Sequence, residues 1–313
     1  MILMSKRILV AACAAATALA LSACSPSAST GDKTSKASKD GTLTVMASFY
    51  PLKYLTEKVG GEHVTVTSLT PDGAEPHDLE LSPKMVDSLA SADAVVYLAG
   101  FQGAVDEAIE QHAPTTVIDV SSAAQLVAID STSNHPGEDE GTDEAQSGEA
   151  QSGKAQSGEA ADHDHEGHEH EGHDHEHADH DHHHDMSMDP HFWLDPARMA
   201  NAATLVGDKL AEADPTNAET YKANAQALNK ELTSLGDNLV TKTSTCQIKT
   251  FVTAHTAFGY LADRTGLTQV GISGLDPESS PSPARLAEIG KIAKDQGVTT
   301  IFTEALIDPK VAQ

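Results

Sequence analysis

Apolar and polar residues alternate from Thr42 to Ser48 with the period of a strand. From Leu52 to Val59 the apolar spacing becomes that of a helix, stopped by Gly60-Gly61. His63 to Leu69, rich in Val and Thr, reads as a second strand. It delivers the loop Thr70-Pro71-Asp72-Gly73-Ala74-Glu75-Pro76-His77-Asp78-Leu79-Glu80. Ser82-Pro83 supplies an N-cap and a first-turn proline for a helix bearing Met85, Val86 and Leu89. Ala94 to Leu98 returns as strand, a helix follows to His112, and Thr116 to Val120 is strand again. This βαβαβ order predicts a parallel sheet with helices on its faces.

From Ser131 the periodicity is lost. Glu144 to Ala160 repeats a Glu/Lys-Ala-Gln-Ser-Gly unit with no apolar face to offset the entropy of ordering. Residues 131–188 are therefore expected to be a disordered insertion within a first α/β lobe spanning 42–213. Order resumes at His191, where Asp195-Pro196 caps a helix to Ala213 and Asp214-Pro215 announces another. In that second helix Tyr221, Ala225, Leu228, Leu232, Leu235 and Leu239 advance by alternating steps of four and three. A helix over 214–242 would reach roughly 40 Å at 1.5 Å per residue, enough to link two lobes. A second lobe, 243–313, begins with the strand Thr250 to Thr253, which leads to Ala254-His255-Thr256-Ala257-Phe258-Gly259-Tyr260 and a helix ending at Gly266. Gln269 to Ile272 is strand, Ser282-Pro283 caps a helix ended by Gly297, and Val298 to Thr303 is strand. Asp308-Pro309 opens one more helix a turn before Gln313, so this lobe is expected to be incomplete.

At the amino terminus, Lys6-Arg7 followed by apolar Ile8 to Leu21 has the charge layout of a secretory signal and is too short to span a bilayer as a mature helix. Leu21-Ser22-Ala23-Cys24 resembles the lipobox of bacterial lipoproteins. That likeness implies removal of residues 1–23, acylation of the Cys24 thiol and attachment to a membrane through the acyl chains. Residues 24–41, rich in Ser, Thr, Ala and Lys, then form a flexible tether. Cys13 leaves with the leader and Cys24 is lipidated, so Cys246 is the one remaining thiol. With leader and insertion set aside, about 230 residues remain for packed structure, enough for two lobes of ordinary size. The chain carries 47 Asp and Glu against 20 Lys and Arg, a net charge of -27. Glu138 to Asp189 alone holds 18 of the acids and one Lys, which leaves -10 for the rest. The folded part is moderately acidic, a balance that argues against nucleic acid as a partner and admits cations.

Candidate chemistry concentrates in histidine. His163, His165, His168, His170, His173, His175, His177, His180, His182, His183 and His184 are interleaved with carboxylates. They offer imidazole nitrogen and hard oxygen together at high local density, a mixture that suits divalent transition metals and zinc above all. A solvated charge run or an expression tag is the plainer reading, but the tract is internal and runs directly into Asp189-Pro190-His191-Phe192-Trp193-Leu194-Asp195-Pro196. Outside it, His77, His191 and His255 each stand at a Pro-bounded or strand-end junction, where open α/β folds place ligand groups. Three neutral imidazoles arriving from three loops could meet at one ion, with a carboxylate or water completing four positions. His63, inside an alternating strand, reads as a surface residue.

Three local motifs, in order, carry a resemblance: Glu75-Pro76-His77-Asp78-Leu79-Glu80-Leu81-Ser82-Pro83, His191-Phe192-Trp193-Leu194-Asp195-Pro196 and Ala254-His255-Thr256-Ala257-Phe258-Gly259-Tyr260. Together they resemble the metal-binding substrate-binding proteins of bacterial ABC importers, and most nearly the zinc branch, which carries a His-rich acidic insertion at this place. The likeness covers about residues 42–313. It implies two α/β lobes with parallel sheets flanked by helices, joined by one long linking helix, with metal in the cleft between them and closure of low amplitude. It also implies a monomer serving an ABC permease and its ATPase, with His77, His191 and His255 as the nitrogen ligands of transported Zn(II). Manganese members look like two His with two carboxylates, so a third His points to zinc, with manganese, nickel or copper as the other possible cargo. In many relatives the fourth ligand is a carboxylate of the final strand; here it would lie past Gln313, and Glu75, a neighbouring carboxylate or water stand as alternatives. The same tail commonly holds a second Cys, the expected partner of Cys246.

The chain also departs from the pattern. Relatives usually carry Asp where Thr256 stands, which leaves the third imidazole without its usual orienting group. They tend to have an acid where Ser280 stands. Glu75 and Glu304 are candidates for supporting the ligand rings, Glu304 reading equally as an exposed carboxylate. Asp195 reads as a helix cap and Trp193 as packing beside the site.

The sequence thus reads as a lipid-anchored, non-enzymatic protein on the extracytoplasmic face of the cell membrane. It would capture zinc in a cleft and hand it to a permease, with the tract as a low-affinity collector. Two rivals come from other classes. A zinc hydrolase would also use three His and a water, but the chain has no His-Glu-x-x-His and no Gly-x-Ser-x-Gly. A surface metal buffer or adhesin would work without a transporter.

Overall fold

The computed structural model of the protein describes residues 41–112, 114–129, 134–135 and 187–305. The leader, Cys24, the tether, the tract histidines and the helix expected from Asp308 lie outside these residues.

The first sheet has the order β2-β1-β3-β4, all parallel, from β1 (Leu43–Ala47), β2 (Val64–Ser68), β3 (Ala94–Tyr97) and β4 (Thr116–Asp119). Successive side chains point to opposite faces, and both faces are covered, so the central strands read as almost unbroken apolar runs. Leu43, Val45, Ala47, Ala94 and Val96 point to one face and pack with α1 (Tyr50–Gly60), α5 (Pro196–Ala213) and α6 (Ala218–Thr243). Met46 and Val95 point to the other and meet residues of α2 (Pro83–Ser91) and α3 (Gly103–His112). A four-residue helix, α4 (Ser121–Ala124), follows β4. Each fully buried aliphatic side chain, such as Leu52, Leu55 and Val59 of α1, contributes about 1.5–3 kcal/mol of transfer free energy.

The second sheet is smaller. β5 (Thr250–Thr253) lies between β6 (Thr268–Gly271) and β7 (Ile301–Phe302), again parallel, with α7 (Gly259–Thr265) and α8 (Pro283–Gln296) as connections. Val252, Ile272 and Ile289 form its own small core. Helix α6, 26 residues and about 39 Å long, packs along α5 and α1 and reaches α7 near its far end. α5 and α6 approach closely because Gly207 has no side chain: a Cβ there would stand 2.6 Å from that of Ala225. No helix among the described residues is long and apolar enough to cross a membrane. Cys246 is free and exposed.

The caps at Ser82, Asp195 and Ser282 all form, each side chain accepting from a backbone N–H of the first helical turn. Four expectations need correction. Asp214-Pro215 does not cap α6, which starts at Ala218 after a turn; the Asp214 carboxylate instead accepts from Asn217 Nδ2 (2.7 Å) and Tyr221 Oη (2.9 Å). The apolar seam of α6 holds through Leu232, but Leu235 is exposed, because Gly236 takes over the buried face against Arg264. His63 closes a 3-10 turn, Gly61–His63, rather than beginning a strand. The expected insertion 131–188 also differs at its ends. Asn134 and His135 are fixed by hydrogen bonds to other elements, and Ile129 N–H donates to Ser187 O (2.9 Å) while Asp189 N–H donates to Val127 O (2.9 Å).

Candidate metal centre

The chemistry lies past the carboxyl ends of both parallel sheets. Beyond β2, the N–H groups of Leu69 and Thr70 extend the ladder by donating to Ala47 O (2.8 Å) and Ser48 O (3.0 Å). The following loop carries His77. Buried Gln102, just before α3, donates through Nε2 to Thr70 Oγ1 (3.0 Å) and Pro76 O (2.9 Å), which pins this loop one residue before the imidazole. Phe101 meets the His77 ring edge-on at 5.0 Å. His191 leads into the 3-10 turn Phe192–Leu194, after which Asp195 caps α5. Phe192 anchors that turn in the core, and Trp193 packs against Phe49, Phe101 and the His191 ring. His255 follows β5. There Ala254 N–H donates to Phe302 O (2.9 Å) and Ser273 N–H to Ala254 O (2.9 Å), so its backbone is held from both neighbouring strands.

The three rings converge. One nitrogen from each of His77, His191 and His255 lies within 4.8 Å of the other two, and the ring centroids are 5.2, 5.3 and 5.9 Å apart. His191 and His255 are buried. The outward nitrogen of each ring meets a carboxylate: His77 Nδ1 is 2.6 Å from Glu75 Oε1, His191 Nδ1 2.8 Å from Asp189 Oδ1, and His255 Nδ1 2.7 Å from Glu304 Oε1. An ionised carboxylate only accepts, so each Nδ1 carries the proton and each Nε2 presents a lone pair. Two of these lone-pair nitrogens, His77 Nε2 and His191 Nε2, are 3.2 Å apart, and His255 Nε2 is buried without a hydrogen-bond partner. Between neutral rings this is repulsion, and a cation among the three relieves it. Zinc–nitrogen bonds of about 2.0–2.1 Å set the edges of a tetrahedron at about 3.3 Å. The His77–His191 spacing already matches that edge.

Electrostatics favour the neutral, metal-binding form where it matters most. Burial pushes His191 below its ordinary value against the pull of Asp189, and His77 and His255 push the same way as burial. Burial alone would raise Asp189, but the hydrogen bonds from His135 and His191 outweigh it and hold the carboxyl at about 2. Glu75 is opposed by burial too, and its hydrogen bond from His77 leaves it below the usual carboxylate range.

Of the residues singled out in the sequence, the structure brings His77, His191, His255, Glu75 and Glu304 to one place. His63 is elsewhere, edge-on to Tyr221. Thr256 donates to Ser273 O (3.0 Å) and plays no part in orienting His255. Glu304 supplies that support because β5 and β7 are parallel with Thr253 opposite Phe302, which sets residues 255 and 304 side by side two positions on. Two participants were not singled out. Asp189 stands two residues before the His191 imidazole with proline between, as Glu75 does before His77, and that repeated spacing was a usable signal. His135 lies in polar, aperiodic sequence that gave none.

Known proteins resemble the chain in sequence and in fold. Residues 45–313 match the family model described as zinc-uptake complex component A, periplasmic. The chain is 33% identical over 282 residues to the zinc-binding protein AdcA of Streptococcus pyogenes, covering 88% of this chain and 48% of that protein. It is 31% identical over 301 residues to the high-affinity zinc uptake system protein ZnuA of Bacillus subtilis, covering 95% and 81%. Among solved structures, the laminin-binding protein Lmb of Streptococcus agalactiae, described as a bifunctional protein with adhesin and metal transporting activity, superposes with a TM-score of 0.64 at 28% identity, covering 86% of this chain and 83% of that one. The chain spans about half the length of the streptococcal AdcA proteins it matches. With the family model matching nearly all of the described residues, the chain belongs to the ZnuA family of periplasmic zinc-uptake components.

Proposed function

We propose that the protein captures Zn(II) outside the cytoplasmic membrane and delivers it to an ABC permease and its ATPase. The observation that supports this most is the set of three Nε2 lone pairs turned on one point, each ring locked by a carboxylate at Nδ1. Three imidazoles favour zinc over manganese, which prefers more oxygen. On this reading 42–213 and 243–313 are two lobes joined by α6, with the ion in the cleft, His77, His191 and His255 as its ligands, and Cys24 as the lipid anchor of a monomer. Glu75, Asp189 and Glu304 are committed to imidazole N–H groups, which suits holding an ion better than taking a proton from bound water, as a hydrolase requires.

The tract histidines serve as a low-affinity collector that raises the local zinc concentration. Zinc titration with a competing chelator tests the division of labour. Deleting residues 136–186, which spares His135 and the paired residues Ser187 and Met188, is expected to remove the weak sites and leave the tight one unchanged. Loss of the tight site in that variant sinks the idea.

Acid should release metal in two stages. Imidazole binds only when neutral, so protons compete and affinity falls as pH falls. The weaker tract sites give up their metal first. His191, pushed down by burial, stays neutral to lower pH. Bound zinc counted at about pH 7.5, 6.5 and 5.5 should drop to a single equivalent before that one is lost; simultaneous loss contradicts the two-site picture.

A further inference from the structure

Asn134 and His135 are packed against α7 and β6, although the sequence around them is polar. His135 is 2% exposed, and its ring nitrogens meet two carboxylates, Nδ1 at 2.7 Å from Asp189 Oδ2 and Nε2 at 2.8 Å from Asp263 Oδ2. Two acceptors of this kind match an imidazolium donating from both nitrogens. Burial opposes the charge, but Asp189 and Asp263 outweigh it and raise His135 above its ordinary value. Asn134 bridges the same elements: Nδ2 donates to Asp263 Oδ1 (2.7 Å), and Oδ1 accepts from Gln269 N–H (3.1 Å). The fit depends on Gly259, where a Cβ would stand 2.2 Å from Asn134 O and 2.7 Å from the His135 ring.

Asp189 divides its two oxygens. Oδ1 accepts from the backbone N–H of His191 (2.9 Å) and faces His191 Nδ1, while Oδ2 faces His135 alone among the described residues. Its backbone O accepts from Tyr260 Oη (2.7 Å), which in turn accepts from Val127 N–H (2.8 Å). The result is a chain of alternating charge and hydrogen bonds, Asp263 to His135 to Asp189 to His191, that starts on α7 and ends on a ring of the three-histidine centre.

We propose that His135 is a positioning residue of that centre: by gripping the far oxygen of Asp189 it fixes the plane of the carboxylate that holds His191 with Nε2 turned inward, and through Asp263 it ties that orientation to α7. The affinity consequence rests on the zinc-binding reading above; the effect on the ring does not. Without His135, a fully buried carboxylate loses the only partner that the described residues offer one of its oxygens, a strong drive to rotate or recruit other donors. His191 then loses its fixed tautomer.

The full chain, labelled with 15N-histidine and measured both metal-free and in zinc competition titrations, tests this. In the unaltered protein the His191 signals should report a protonated Nδ1 and a bare Nε2. His135→Ala is expected to move them toward mixed tautomers and to weaken zinc binding about tenfold, the lower end of what loss of an outer partner costs. His135→Gln, whose amide can still donate to Asp189, should recover most of both effects. Gly259→Ala, which displaces His135 without altering it, should behave like His135→Ala. Unchanged His191 signals and affinity in His135→Ala overturn the proposal. So does a His135→Gln variant that folds as stably as the unaltered chain yet recovers neither readout. If the unaltered chain binds no zinc, the functional reading fails and the metal-free signals alone decide the positioning role. Should His135→Ala fail to fold, Asp263→Asn carries the test: altered His191 signals support the proposal and unaltered ones overturn it.

Discussion

His191→Ala is expected to abolish tight zinc binding while leaving the fold in place. Apparent binding energies of about 10–16 kcal/mol at structural zinc sites, shared over four bonds, assign each ligand about 2.5–4 kcal/mol, so losing one weakens binding roughly 70- to 900-fold. His191 is the best test because it is the most enclosed of the three rings and its Nε2 is 3.2 Å from that of His77. The variant should be compared in a background lacking 136–186, where tract binding cannot mask the loss. Trp193, the only tryptophan, lies 5.2 Å from the His191 ring, so intrinsic fluorescence is a direct reporter. An affinity within about tenfold of the unaltered chain would mean that the ion, if bound, is held elsewhere.

Asp189→Ala should cost the most stability among the three ring-holding carboxylates. Asp189 is fully buried and serves two imidazoles, whereas Glu75 and Glu304 each serve one and are partly exposed. Its removal leaves the buried His135 cation facing Asp263 alone and His191 without its acceptor. Breaking a buried ion pair from one side costs about 3–5 kcal/mol, and in a protein of this size that lowers the melting temperature by about 10 °C. The effect depends on pH with a definite sign. Asp189 is depressed from 3.8 to about 2 on folding, so its contribution is present above 3.8 and is lost as pH falls toward 2. His135 is raised above 6.5, so its contribution is present below 6.5 and is lost as pH climbs through the folded value. The deficit of the variant, followed by chemical denaturation, should therefore be greatest between about pH 4 and pH 6.5 and shrink in strong acid. A deficit that does not vary with pH would assign the loss to packing instead.

The elements most legible in the sequence are those with a local physical cause. Ser82-Pro83, Asp195-Pro196 and Ser282-Pro283 start helices because a side-chain oxygen and a proline satisfy the first turn without help from elsewhere. Glu75-Pro76-His77 and Asp189-Pro190-His191 are local as well: in each the acid takes both the backbone N–H and the Nδ1 of the imidazole two residues on. The same motif misled at Asp214-Pro215, where Asn217 and Tyr221, three and seven residues on, claim the carboxylate that would have capped α6. The support of His255 by Glu304 depends on the register of β5 against β7, which no nearby residue encodes. His135 was hidden for a similar reason. Its partners stand 54 and 128 residues away, and nothing in the polar sequence around it marks burial.

The three converging rings are unequally divided between the sheets. His77 and His191 ride on loops packed into the core of the four-stranded sheet, while His255 and its carboxylate Glu304 both lie just past the ends of neighbouring strands of the small one. If these three rings hold an ion, as proposed, a separation of the two sheets would remove one donor and its supporting acid together. On the proposed reading, what would remain is a two-pronged perch, His77 and His191, too sparse to hold an ion firmly.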